Sequence, residues 1–303
     1  MTPKDPTLFR ARVTRDFRKF LDDEGFIELS TPVIRQYEGD ILRPRIRLED
    51  GRYLRESAAF ALRCNLHLAG RIFDLGPCFR PDTVDSTHLD EFTMLDLYWR
   101  GAALADTESL AVKLVQMFYK GSFERLSFAG LIQQVFGIDL YNDSKAETHL
   151  HERLCENYRN PGGNYVEMLD RYITENINPL SMGRCLIVDS FPMGIEVRAK
   201  KRNGAGCVAE RLEFLIDGIE VVHAYADEPD PAVLSSSAKK YNSFGPEDEI
   251  MCRLMEEGSV PAESSGFGIG LERFCQVCLG GSDIRDFIPS RLFSGHDPDS
   301  QRR

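Results

Sequence analysis

Between Ser264 and Arg273 the chain reads Ser-Ser-Gly-Phe-Gly-Ile-Gly-Leu-Glu-Arg, with glycines at every second position, 266, 268 and 270. Strand propensity cannot account for them, because glycine lowers it. Three alternate glycines instead predict a strand whose backbone a ligand approaches closely. Leu271-Glu-Arg-Phe274 then starts a helix and carries an arginine beside the glycine platform. A GxGxG could also open a dinucleotide loop, but no acidic residue follows on a second strand and no βαβ pattern surrounds it.

The rest of the chain supplies partners for such a strand. Phe9, Val13, Phe17, Phe20 and Leu21 recur at helical spacing among charged residues, which predicts an amphipathic helix ending near Asp23 and Gly25. Phe26–Leu29 reads as a strand that stops at Thr31-Pro32, since proline has no amide to donate. Further strand-like runs fall at 71–75, 92–99, 184–189, 210–216 and 219–224, with a mostly helical stretch between Trp99 and Arg184. Asp217-Gly218 between two apolar runs predicts a two-residue type I′ hairpin. Asn160-Pro-Gly-Gly-Asn164 is a strong turn. Hairpins early and late with helices between them predict an α+β fold, a mostly antiparallel sheet flanked by helices. No repeat or linker divides residues 1–303, so one domain is expected, with a polar tail from about 294.

Hydrophobic residues make up 42% and charged residues 28% of the 303, the balance of a globular chain. No apolar run is long enough to span a bilayer, and the first residues lack an apolar signal region, so a cytoplasmic location is expected. The net charge is −11, and no Lys/Arg run exceeds Lys200-Lys201-Arg202, which argues against an extended phosphate-tracking surface. The eight cysteines include one close pair, Cys275 and Cys278. Without a second pair at zinc spacing, they read as core packing.

Two more constellations carry chemistry. Phe79-Arg80 enters a polar loop, and His88-Leu-Asp-Glu-Phe92 leaves it. An arginine there can clamp a phosphate through parallel hydrogen bonds, and an aromatic on the return strand offers a flat face to a purine. In Glu210-Arg-Leu-Glu213 through Glu220, Glu220 sits on a strand between apolar neighbours. A carboxylate beside phosphate-binding arginines makes sense where Mg²⁺ bridges it to a triphosphate.

In this order the three pieces resemble motifs 2 and 3 of class II aminoacyl-tRNA synthetases, with the acidic strand that precedes motif 3. The Phe9–Leu21 helix and Gly25-Phe-Ile-Glu-Leu-Ser-Thr-Pro32 resemble motif 1, and Asp283-Ile-Arg-Asp-Phe-Ile-Pro289 the close of the lysine/aspartate subclass. The segments 72–80 and 88–95 are similar to pyrrolysyl-tRNA synthetase. The region 209–220 is similar to lysyl-tRNA synthetase and its truncated paralogue, the elongation factor P β-lysine ligase.

The resemblance implies a class II catalytic domain that uses ATP and Mg²⁺. By matched position, Arg80 would hold the α-phosphate and stabilise the transition state. Asp82 stands where the family has glutamate at the adenine amino group. His88 would reach the outer phosphates, Phe92 would stack on adenine, and Arg273 would cover its other face and bind the γ-phosphate. Glu220 and Asp227 match a pair of metal-binding carboxylates. In the amino-acid pocket, beside Gly266 and Gly268, a gapless count from Arg80 puts Ala58 where lysyl enzymes carry a glutamate. Asp74 is left as an ammonium partner, and His223-Ala224 replaces Asn-Gly. Two altered pocket positions imply a substrate other than plain lysine. A homodimer is implied by motif 1. The expected activity is formation of an aminoacyl-adenylate and its transfer to a protein, carrier protein or small amine. The alternatives are a minimal tRNA synthetase, with tRNA ranked lower as a partner, and a non-catalytic paralogue.

Overall fold

The computed structural model describes residues 5–39 and 44–289; the expected tail from about 294 lies outside them. The strands are β1 (Ile27–Glu28), β2 (Ile34–Arg35), β3 (Tyr53–Leu54), β4 (Arg71–Phe79), β5 (Glu91–Arg100), β6 (Phe123–Ser127), β7 (Cys185–Asp189), β8 (Arg211–Ile216), β9 (Ile219–Ala226) and β10 (Ser264–Gly270). The helices are α1 (Pro6–Asp23), α2 (Ala59–Cys64), α3 (Leu104–Gln116), α4 (Phe128–Phe136), α5 (Ala146–Tyr158), α6 (Tyr165–Tyr172), α7 (Pro231–Lys240), α8 (Pro246–Glu256) and α9 (Leu271–Leu279). Eight strands form one sheet in the order β1-β4-β5-β10-β9-β8-β7-β6. Its six central strands are antiparallel, and β1 and β6 add in parallel at the two edges. This is the α+β architecture expected from the sequence.

Helix α1 starts where Asp5 accepts a hydrogen bond from the Leu8 amide at 2.9 Å, with Pro6 as its first residue. Phe9, Val13, Phe17 and Leu21 recur every fourth residue and are all buried. Each fully buried apolar side chain stabilises by about 1.5–3 kcal/mol, more than enough to hold a helix that would be marginal alone. They pack with α3 and α9 against one face of the sheet, where the Phe17 and Phe274 rings lie 5.2 Å apart. Asp217 and Gly218 have φ of 49° and 82°, as the type I′ turn between β8 and β9 requires. Cys275 and Cys278 are free thiols within the α9 core, and burial pushes Cys278 up to about 12.

The other face of the sheet is covered only at its ends. A second core of α4, α5 and α6 lies over β7 and β8, and a small cluster around α2 lies over β4 and β5. Between them the middle of the sheet is open, and β10 with its glycines runs through that middle.

Candidate active site

Register across the sheet builds the floor of this opening. Asp96 on β5 pairs with Gly268 on β10, which pairs with His223 on β9, which pairs with Glu213 on β8. The next rung on that face runs Tyr98, Gly266, Tyr225 and Arg211. Because facing residues in a ladder point the same way, both rungs have side chains on either flank and none at the glycine. The result is a trough along β10. A Cβ at Gly266 would lie 2.3 Å from the Leu97 carbonyl oxygen, and one at Gly268 would lie 3.1 Å from the Asp96 carboxylate.

A bulge between β8 and β9 re-aims one more group. The register shifts between Phe214 and Leu215, so that Leu215 faces Glu220 while Phe214 faces Val222. Val221 and Val222 both enter the core, and Glu220 thereby joins His223 on the open face, which strict alternation at a separation of three would forbid. Ligand atoms of Glu213, Glu220 and His223 lie within 4.8 Å of one another. Burial works against charge on Glu213, yet Arg211 and His223 hold its carboxyl down at about 2. Burial and Arg211 likewise oppose protonation of His223. Its contacts with Glu196 and Glu213 and the field of Glu220 prevail, and its pKa is raised. Arg211 also stacks on Phe191, 4.4 Å from its ring centre.

At the other end of the same cavity, of about 280 Å³ in all, stand Arg80, Asp82, His88, Phe92 and Arg273. The Arg80 guanidinium lies 5.2 Å from the centre of the Phe92 ring. Arg273 donates from Nε to the Thr87 carbonyl at 3.0 Å, and Gln276 donates to Ser86 at 3.0 Å. The loop between β4 and β5 is thereby pinned to α9, the helix that follows the glycine strand. Glu272, at the start of α9, accepts from the Thr93 amide at 2.9 Å and pairs with Arg10 at 2.8 Å. One arginine from each constellation is thus brought to one cavity.

Three sequence expectations are corrected. Asp227 does not share a cation site with Glu220: strands rise about 3.3 Å per residue, which places it roughly 13 Å beyond His223. It is buried instead, 3.3 Å from Arg63 and hydrogen-bonded to Ser264. The second carboxylate of the cluster is Glu213. Asp74 is occupied within the protein, bonded to Arg55 at 2.9 Å and to the Thr31 amide at 2.8 Å, and does not line the cavity. Ala58 is likewise buried, its amide donating to Asp96 at 2.6 Å, and its neighbour Ala59 is the one exposed to the cavity.

Sequence reasoning passed over Arg211, Glu213, Asp96, Tyr98 and Tyr225. A signal existed for the β8 pair: Arg211 and Glu213 alternate with the apolar Leu212, Phe214 and Ile216, the pattern of a strand with one face on a core and one on something polar.

Residues 4–290 match the family model described as tRNA synthetases class II (D, K and N). The chain belongs to that family. Among known relatives, the class II chain is 26% identical to a lysine–tRNA ligase of Saccharolobus solfataricus over 94% of its length and 64% of the relative's. It is 26% identical to one from Rhizobium meliloti (92% and 62%) and 27% identical to one from Deinococcus radiodurans (92% and 59%). The class II chain therefore spans about three fifths of these relatives. Among its described residues no helix is long and apolar enough to cross a membrane.

One carboxylate in this class II site carries a measurable cost. Burial raises Asp96 to about 6, against the Ala58 amide and Arg55, which favour its charge. Its folded pKa lies above the ordinary 3.8, so the ligand-free fold binds an extra proton between pH 4 and 6. The penalty is absent below that window, grows as pH rises through it, and persists above it. Asp96→Asn keeps an acceptor for Ala58 and is expected to stabilise the ligand-free protein by about 1–3 kcal/mol at pH 8. Little change is expected at pH 4.5. Urea melts at the two pH values test this; a gain that is equal at both, or present only at pH 4.5, would contradict it.

Proposed function

We propose that this protein activates an amino acid with ATP, forming an aminoacyl-adenylate and releasing pyrophosphate. The observation that carries the reading is one trough lined at one end by Arg80, Phe92 and Arg273 and further along by Asp96, with Glu213 and Glu220 on the flank across the glycine strand from Asp96. A carboxylate oxygen of the amino acid attacks the α-phosphorus, and the bond to the bridging oxygen of pyrophosphate breaks. No side chain need act as a nucleophile; positioning and charge stabilisation suffice.

Arg80 neutralises charge that builds on the α-phosphoryl oxygens. His88 and Arg273 hold the outer phosphates, Asp82 takes the adenine amino group, and Phe92 supports the purine ring. Asp96 receives the substrate ammonium, which also relieves the cost of its burial. The oxygen-rich cluster of Glu213 and Glu220, with Glu196 behind His223, fits Mg²⁺, a cation that prefers one or two carboxylates plus phosphate oxygens. Such an ion supplies charge neutralisation on the triphosphate and the leaving pyrophosphate.

The relatives' names make tRNA the first acceptor to test. A net charge of −11 with no long basic run favours a second reading, a protein or small amine as acceptor. A homodimer also fits, with β1 at the sheet edge and Ile27 exposed on it.

ATP–pyrophosphate exchange over a broad panel of α- and β-amino acids tests the activation. Exchange that depends on a subset of the panel is expected; exchange with none of them sinks the reading. Incubating the radiolabelled adenylate complex with bulk tRNA, and separately with proteins and amines, assigns the acceptor.

A further inference from the structure

Behind the amino-acid end of the trough lies a second cavity of about 310 Å³. Four residues line both spaces: Ser57, Ala59, Tyr98 and Tyr225. The two tyrosines form the solid part of this shared wall, their hydroxyls hydrogen-bonded to each other at 2.9 Å. Ser57 and Ala59 are the thin part, and only a methyl group projects at 59. The side chain there decides whether the two cavities are separate or one.

The chemistry of the second chamber is polar but internally balanced. Arg45 bonds Glu247 at 2.7 Å and also holds Glu56, Arg198 bonds Asp248 at 2.9 Å, and Arg63 bonds Asp227 at 3.3 Å. Its buried charges are therefore compensated within the protein. An arriving charged group would have to break one of these pairs, which is costly in a buried setting. Two lining groups have no hydrogen-bond partner among the described residues: Arg63 Nε, which still faces Asp227 at 3.3 Å, and the hydroxyl of Ser243, a residue only 1% exposed. A buried hydroxyl without a partner is left desolvated at a cost, which a bound polar group would remove.

We infer that the two cavities form a single elongated site. An amino acid seated over Asp96 and Gly268 sends a long side chain past Ala59, and its uncharged, hydrogen-bonding end meets Ser243. The substrate class is an amino acid with an extended side chain ending in an amide, hydroxyl or similar neutral group. Asp227 is fully buried 3.3 Å from Arg63, where burial disfavours its charged form, and it does not line either cavity, so it provides no anchor for a terminal ammonium. This inference rests on the activation reading above for the orientation of the substrate, and its test separates the two.

Exchange and ligand-induced melting shifts are measured with leucine, lysine and Nε-acetyl-lysine on the wild type and on Ala59→Phe and Ser243→Ala. Expected are a kcat/KM for the acetylated side chain about tenfold or more above the other two, and a loss of about tenfold or more of that activity in Ala59→Phe. Leucine, whose side chain ends before residue 59, should lose clearly less than the acetylated substrate, since filling a pocket discriminates by size. Ser243→Ala, which adds no bulk, should weaken only the acetylated substrate, by about threefold to tenfold. A wild type that prefers leucine or lysine, or variants that lower all three substrates alike, overturns the elongated site and leaves activation standing. Absence of exchange, together with a melting shift from Nε-acetyl-lysine that Ala59→Phe removes, keeps the chamber and rejects activation. Absence of both exchange and any shift rejects both.

Discussion

Arg80→Ala is expected to lower amino-acid-dependent ATP–pyrophosphate exchange by about a hundredfold to a thousandfold, with most of the loss in kcat. Removing one preorganised charge from a site that stabilises a phosphoryl transition state costs about 3–4 kcal/mol in comparable cases. The geometry supports a loss of that size. Arg80 follows directly on the end of β4, and its guanidinium is held 5.2 Å from the Phe92 ring centre, so little freedom is spent when the triphosphate arrives. Arg80→Lys should recover only a small part, because an ammonium keeps the charge but loses the planar fork. Arg273→Ala should instead raise the KM for ATP more than it lowers kcat, if it grips the outer phosphates in ground and transition states alike. Steady-state exchange at varied ATP separates the two. An Arg80→Ala enzyme within about fivefold of wild type would remove Arg80 from the reaction.

Asp227→Asn is expected to strand the Arg63 charge and destabilise the fold, though by less than the about 3–5 kcal/mol of a fully favourable buried pair, because burial lifts the Asp227 carboxyl to about 6 despite Arg63. The Mg²⁺ dependence of exchange should stay in place. The guanidinium of Arg63 is nearly inaccessible, at 3% side-chain exposure, and Asp227 is its carboxylate partner, at 0%. Taking away one member of such a pair strands a buried charge, whereas replacing both by uncharged groups of similar size is often neutral or stabilising. Arg63→Met combined with Asp227→Asn should therefore recover most of the loss. Urea denaturation at pH 7.5 of the single and double variants decides it. A single variant as stable as wild type, or a double variant weaker than the single, would refute the pairing. Glu220→Gln provides the contrast, with near-normal stability and a raised Mg²⁺ requirement.

Local signals reached far in this chain. The four-residue apolar spacing of α1 and the Asp217-Gly218 turn are written in consecutive residues, and so are the alternate glycines of β10. Each is dictated by backbone sterics or by one face meeting a core. The resemblance of motifs picked out Arg80, Asp82, His88, Phe92, Glu220 and Arg273, and all six line the trough. Position along the chain did not settle position in space. Asp227 was paired with Glu220 by its match to the family's metal carboxylates, and Ala58 was reached by an ungapped count from Arg80.

The glycine strand shows where the division lies. Alternate glycines are enough to announce an open groove, because no tertiary contact is required for a residue to lack a side chain. What borders the groove could not be read the same way. Asp96, His223 and Glu213 meet across Gly268 through pairings between strands far apart in the chain, and a single bulge turned Glu220 toward them. Strand register is set by the packing of whole faces and by turn geometry, so only the folded sheet could decide which carboxylates face the trough and which, like Asp74 and Asp227, are committed to arginines inside the protein.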